Sequence, residues 1–136
     1  MSTTTIRSPI DHAKTLSGAL QDFHRALIRA EIGDDPELQN PYTRLFALIG
    51  DPRFAWMGTL SGLVARIDHQ VAKDEMDGAA LREAHASASA LLGEGEAGQD
   101  ERFRLRHLIA IQKDPDVGLA TGRLRAALRG TAAVAA

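Results

Sequence analysis

Apolar residues recur along this chain at helical spacing, while the strict alternation expected of strands is nearly absent. Leu16, Leu20, Phe23 and Leu27 follow one another in steps of 4, 3 and 4, which puts them on one side of a helix. Ser8-Pro9 opens that helix. A serine hydroxyl can accept from a first-turn N–H, and proline occupies a position whose N–H would have no partner. Asp11 suits the positive end of the helix dipole. Gly33 ends the helix, and Gly33-Asp-Asp-Pro-Glu37 reads as an acidic loop. Asn40-Pro41 opens a short helix carrying Tyr42, Leu45, Phe46, Leu48 and Ile49, stopped by Gly50. Asp51-Pro52 is a third such start, after which Trp56, Leu60, Val64, Ile67 and Val71 recur in steps of 4, 4, 3 and 4. Asp77-Gly78 marks the next turn, before a small-residue stripe of Leu81, Ala84, Ala88 and Leu91. Past an acidic loop, Gly93-Glu-Gly-Glu-Ala-Gly98, Asp100 can cap a helix with Phe103, Leu105, Leu108, Ile109 and Ile111 as its apolar positions. Asp114-Pro115 is the fourth start, leading into Val117, Ala120, Leu124, Ala127 and Leu128.

Short connections between helices are those of a bundle. The pattern predicts an all-α, single-domain, largely antiparallel bundle of four main helices plus one or two short ones, spanning residues 9–129, with flexible ends at 1–8 and 130–136. A domain of roughly 150 residues buries about 70% of its unfolded surface, so 136 residues suffice for one core without staples. The hydrophobic fraction of 44% and charged fraction of 25% exclude wholesale disorder. Without cysteine there are no disulfides, thiolate metal sites or cysteine nucleophiles. No run of signal-peptide type and no stretch of roughly 18 apolar residues occurs, so a cytoplasmic protein without membrane contact is expected.

The candidate chemistry is thin. Gly93-Glu-Gly-Glu-Ala-Gly98 matches G-x-G-x-x-G, but a dinucleotide site needs a preceding strand, and Glu94 and Glu96 would repel phosphate. Neither Glu-x-x-His nor His-Glu-x-x-His occurs among the five histidines. His24 and Glu31 share a helical face and Asp68 adjoins His69, so these four could supply nitrogen and oxygen ligands to a metal if their helices met. No Gly-x-Ser-x-Gly elbow or paired carboxylates stand out, so no catalytic residue is assigned and no cofactor is expected. Gly58, Ser61, Gly62 and Ala65 form a face with little side-chain volume, suited to a close internal helix contact, or alternatively to the seam of a homodimer.

The net charge of -2 argues against a dedicated nucleic-acid binder, but it is unevenly distributed. Residues 1–98 carry 9 Lys/Arg against 14 Asp/Glu, and residues 99–136 carry 7 against 4. Arg102 and Arg106 share a face, as do Arg125 and Arg129, giving a patch that could meet an acidic protein partner, phosphate or RNA. Phe46, Phe54 and Trp56 crowd around one junction and are expected to form a structural aromatic plug, with Trp56 near Phe23.

Three of these stretches, Phe23-His-Arg-Ala-Leu-Ile-Arg-Ala-Glu31, Asp51-Pro-Arg-Phe-Ala-Trp56 and Leu60-Ser-Gly-Leu-Val-Ala-Arg-Ile-Asp68, together resemble a group of small proteobacterial all-helical proteins of unassigned function. Lys113-Asp-Pro-Asp-Val-Gly-Leu-Ala120 fits the same group. Similar sequences carry a proline after the tryptophan, where this chain has Met57-Gly58-Thr59. The resemblance implies a bacterial helical protein and brings no activity with it. The expectation is therefore a non-enzymatic binding or regulatory bundle acting through a protein partner. A bundle binding a metal or small ligand is the alternative, and weak RNA or phosphate binding through the C-terminal arginines is a further one.

Overall fold

All four starts that pair an oxygen-bearing side chain with proline do begin helical segments in the computed structural model, which describes residues 8–94 and 101–135. Six α-helices lie within those residues: α1 (Pro9–Ile32), α2 (Pro41–Gly50), α3 (Gly58–Ala72), α4 (Gly78–Leu91), α5 (Glu101–Lys113) and α6 (Pro115–Ala135). Turns of 3-10 type at Glu37–Gln39 and Pro52–Met57 flank α2, and no strand occurs among the described residues. The caps are made by side chains. Ser8 Oγ accepts from Asp11 N–H at 3.2 Å, Asn40 Oδ1 from Tyr42 N–H at 2.9 Å, and Asp77 Oδ1 from Ala80 N–H at 2.8 Å. Asp51 Oδ1 and Asp114 Oδ1 accept from the N–H two residues on, each at 2.9 Å. Each such cap is worth about 1 kcal/mol. The Asp100 cap, the first part of the expected flexible N-terminus and most of the 93–98 loop lie outside the described residues.

The core is organised around α1. Its stripe of Leu16, Leu20, Phe23 and Leu27 is fully buried, each side chain contributing about 1.5–3 kcal/mol relative to exposure. α1 packs most extensively on α6, then on α3, and also touches α4 and α5. α4 buries the predicted Leu81, Ala84, Ala88 and Leu91, and lies mainly against α6. On α6, Val117, Ala120, Leu124 and Leu128 face inward with Thr121 and Thr131. The two threonine hydroxyls donate to Val117 and Ala127 carbonyls one turn back, at 2.7 and 2.9 Å, so neither is left unsatisfied. The helix runs through Gly130 to Ala135 with Thr131 buried, past the boundary expected at Arg129.

Aromatic rings fill the centre, though not the set expected. Phe54 and Trp56 are buried, each 5% exposed, but Phe46 is 72% exposed and takes no part in the plug. Phe103 of α5 stands where a third ring was expected, 5.2 Å from Trp56 and 6.1 Å from Phe23 between ring centroids. The reason is that α2 lies outside the bundle. It contacts chiefly its two flanking 3-10 turns and buries no residue of its own. Arg44 Nε donates to the Leu38 carbonyl at 2.8 Å and ties α2 to the turn before it. The turn after it is pinned to the end of α1 by Arg53, which reaches Asp35 Oδ2 at 3.0 Å and Glu31 Oε1 at 3.4 Å and also donates to the Glu31 carbonyl.

Candidate functional site

With no buried residue, α2 turns its apolar side to solvent. Tyr42, Leu45, Phe46 and Ile49 stand at i, i+3, i+4 and i+7, one face of a helix, and are 76%, 54%, 72% and 76% exposed. Isolated apolar side chains on a surface are ordinary, whereas a contiguous patch of large ones marks an interaction site. Arg44 is the only charged residue of α2, and its guanidinium is engaged with the Leu38 carbonyl.

Beside this face lies a groove of about 290 Å³, walled by Leu48 and Ile49 of α2, His24 and Ile28 of α1, and Phe54 and Met57 of the 3-10 turn. Gly58 and Ser61 border its far side. Gly58, Ser61, Gly62 and Ala65 are all exposed, and a Cβ on either glycine would meet nothing within 4 Å. The close internal helix contact expected of this small-residue face is not made, because α3 buries Leu60, Leu63 and Ile67 instead. The open stripe therefore lets a helix approach the α3 backbone closely from outside. His24 is half-buried at the groove, and burial lowers its imidazole pKa, so it is neutral at neutral pH.

A second exposed apolar set lies on α5. Phe103, His107 and Ala110 point inward, leaving Leu105, Leu108 and Ile109 outside at 60%, 50% and 38% exposure. Burial of a histidine between Arg106 and Leu108 follows from its partners. Its ring meets Phe23 edge-on at 5.0 Å and 85°, and its Nε2 lies 2.9 Å from Thr121 Oγ1. Thr121 gives its own proton to the Val117 carbonyl, so it accepts from an Nε2–H of His107. Burial, and then the nearby Arg125 charge, lower the His107 pKa to about 4.

The four proposed metal ligands do not form a site. Glu31 is paired with Arg53, Asp68 accepts from Ser17 Oγ at 2.6 Å, His24 lines the groove and His69 is exposed on α3. Among the described residues no group of three or more His, Asp or Glu side chains could hold a metal ion. The Ser17–Asp68 bond, extended by Gln21 Nε2 donating to Ser17 Oγ at 3.0 Å, ties α1 to α3. The arginine pairs are also resolved: Arg102, Arg106 and Arg129 are exposed, while Arg125 is bound to Glu94 at 3.0 Å. Among the described residues no helix is long and apolar enough to cross a membrane.

Neither exposed face was marked by the sequence pattern, which named their residues as apolar positions without saying which side of each helix is covered. A signal existed on α5, since residues 105, 108 and 109 cannot face inward together with 103 and 110. The chain matches no known protein family model, no characterised protein and no solved structure.

Proposed function

We propose that this chain is a non-catalytic binding module of the bacterial cytoplasm that docks a helix of a protein partner on the apolar face of α2 and the groove beside it. One observation carries this: Tyr42, Leu45, Phe46 and Ile49 form a continuous apolar face on a helix that buries none of its residues. Such a helix adds little to the core, so its apolar side is understood as held for something outside the chain. The adjoining groove and the open Gly58–Gly62 stripe favour a helix as the docked element, because small residues permit close backbone approach. At about 290 Å³ the groove sits at the lower limit for a small-molecule site, which makes it the rim of a larger interface rather than a pocket of its own.

The test is a photo-crosslinking residue placed at position 46 in cells expressing the chain, with position 83 on the exposed side of α4 as reference. Protein adducts specific to position 46, lost when Ile49→Asp is added, support the reading. Adduct patterns identical at the two positions refute it. An adduct at twice the chain mass identifies the partner helix as that of a second copy, a homodimer through this face.

A further inference from the structure

We infer that the outer face of α5 is a second docking surface, and that its occupant is an acidic amphipathic helix of a protein partner. At the angular spacing of an α-helix, Leu108, Leu105 and Ile109 form a ridge directly opposite Phe103, His107 and Ala110. Those inward residues are locked by the Phe23 and Trp56 rings and by Thr121, so the ridge cannot roll into the core. Arg102, Arg106 and Lys113 run along one flank of the ridge, all exposed, and Arg104 stands on the other with its stem beside Gly93. Glu101, at the amino-terminal end, is the one acidic residue of α5. The ridge and its flanks thus complement a helix with an apolar seam bordered by Glu or Asp, as the charged positions beside a coiled-coil seam select their partners.

The charge distribution supports that occupant. From Glu101 to Ala135 the chain carries 7 Lys/Arg and 3 Asp/Glu, against 16 and 18 in the whole sequence, so this segment has a formal net charge of +4 on a chain whose net charge is -2. No aromatic side chain is exposed on α5 to stack a base, which disfavours single-stranded nucleic acid. Nor does the ridge present the Trp or Phe that anchors helices in a bilayer interface. With 13 residues, α5 is about 20 Å long, a match for roughly four turns of a partner helix.

The probe is a labelled synthetic peptide of about 18 residues, with leucine on its seam and glutamate at the bordering positions, titrated with the full chain by fluorescence anisotropy. Saturable micromolar binding is expected, weakened at least about tenfold by Arg102→Glu with Arg106→Glu, and likewise by Leu105→Ser with Ile109→Ser. A peptide with lysine in place of the glutamates should bind at least about tenfold more weakly than the acidic one. All four substituted side chains are exposed, so circular dichroism and melting temperature should match those of the native chain. Phe46→Asp on α2 should leave peptide binding unchanged, which separates this surface from the α2 face. The inference is overturned if the acidic peptide does not bind, if it binds no better than its lysine counterpart, or if the charge reversals have no effect. It is equally overturned if phosphatidylserine vesicles or single-stranded RNA bind through these arginines while the peptide does not.

Discussion

Acidification from pH 7 to pH 5 is expected to destabilise the fold by about 2 kcal/mol through His107 alone. The side chain is 5% exposed, against the Phe23 ring, with its Nε2–H donated to Thr121. Protonation would place a charge in that apolar setting near the Arg125 guanidinium, and the pKa is lowered from 6.5 to about 4. Between these two values the unfolded chain binds a proton that the folded chain does not, so stability falls as the pH falls through this window. One pKa unit corresponds to about 1.4 kcal/mol, and the full loss approaches roughly 3 kcal/mol once the pH is below both values. That is a substantial part of the 5–15 kcal/mol typical of a domain. His24 shifts in the same direction and adds to the slope. The assay is urea unfolding followed by circular dichroism at pH 7, 6 and 5, on the native chain and on His107→Gln, which keeps an N–H donor and cannot titrate. His107→Gln should lose most of the pH dependence in this range while remaining folded at pH 7. An unchanged slope in that variant, or native stability that does not fall between pH 7 and pH 5, refutes the assignment of His107 as a buried neutral donor.

Substitutions around the core and the exposed faces should diverge sharply. Trp56→Ala, which removes a ring packed on Phe103, is expected to cost about 3–5 kcal/mol in denaturant unfolding. Trp56→Phe should cost no more than about 1.5 kcal/mol, because it keeps an aromatic ring and removes a buried Nε1–H that has no hydrogen-bond partner. Phe46→Asp should change the unfolding free energy by less than about 0.5 kcal/mol, whereas Phe54→Ala should cost about 3–5 kcal/mol. Arg53→Ala should cost about 1–2 kcal/mol by freeing the second 3-10 turn from Glu31 and Asp35, and faster amide exchange at residues 52–57 would locate the loss.

Local chemistry was the most legible level in the sequence. A capping oxygen before proline depends only on neighbouring residues, and Ser8, Asn40, Asp51 and Asp114 all begin helical segments as expected. The α1 and α4 stripes were legible because each apolar set has one possible inward direction. On α3 the same rule chose imperfectly: Leu60 and Ile67 are buried, but Leu63 is the third buried position and Val64 and Val71 are only half-buried. Thr121, Thr131 and His107 were not legible as core residues, since their burial depends on carbonyls and rings that the fold brings to them.

The larger divergence concerns which apolar faces the fold covers. Helical periodicity shows that a face is apolar, but another helix must be free to cover it. α1 meets α3, α4, α5 and α6, and the Phe23, Phe103, Trp56 and His107 rings occupy the space between α1, α5 and the second 3-10 turn. Phe103 takes the place against Trp56, and α2 has its flanking turns as principal neighbours. α5 offers two apolar sides and the bundle takes one. The Phe103 side is preferred because His107 completes the ring cluster and finds Thr121, while the leucine side is bordered by four basic residues that would have to be desolvated. The same desolvation cost that keeps the α5 ridge out of the core leaves it in solvent with its cations, the setting that an acidic helix would complement.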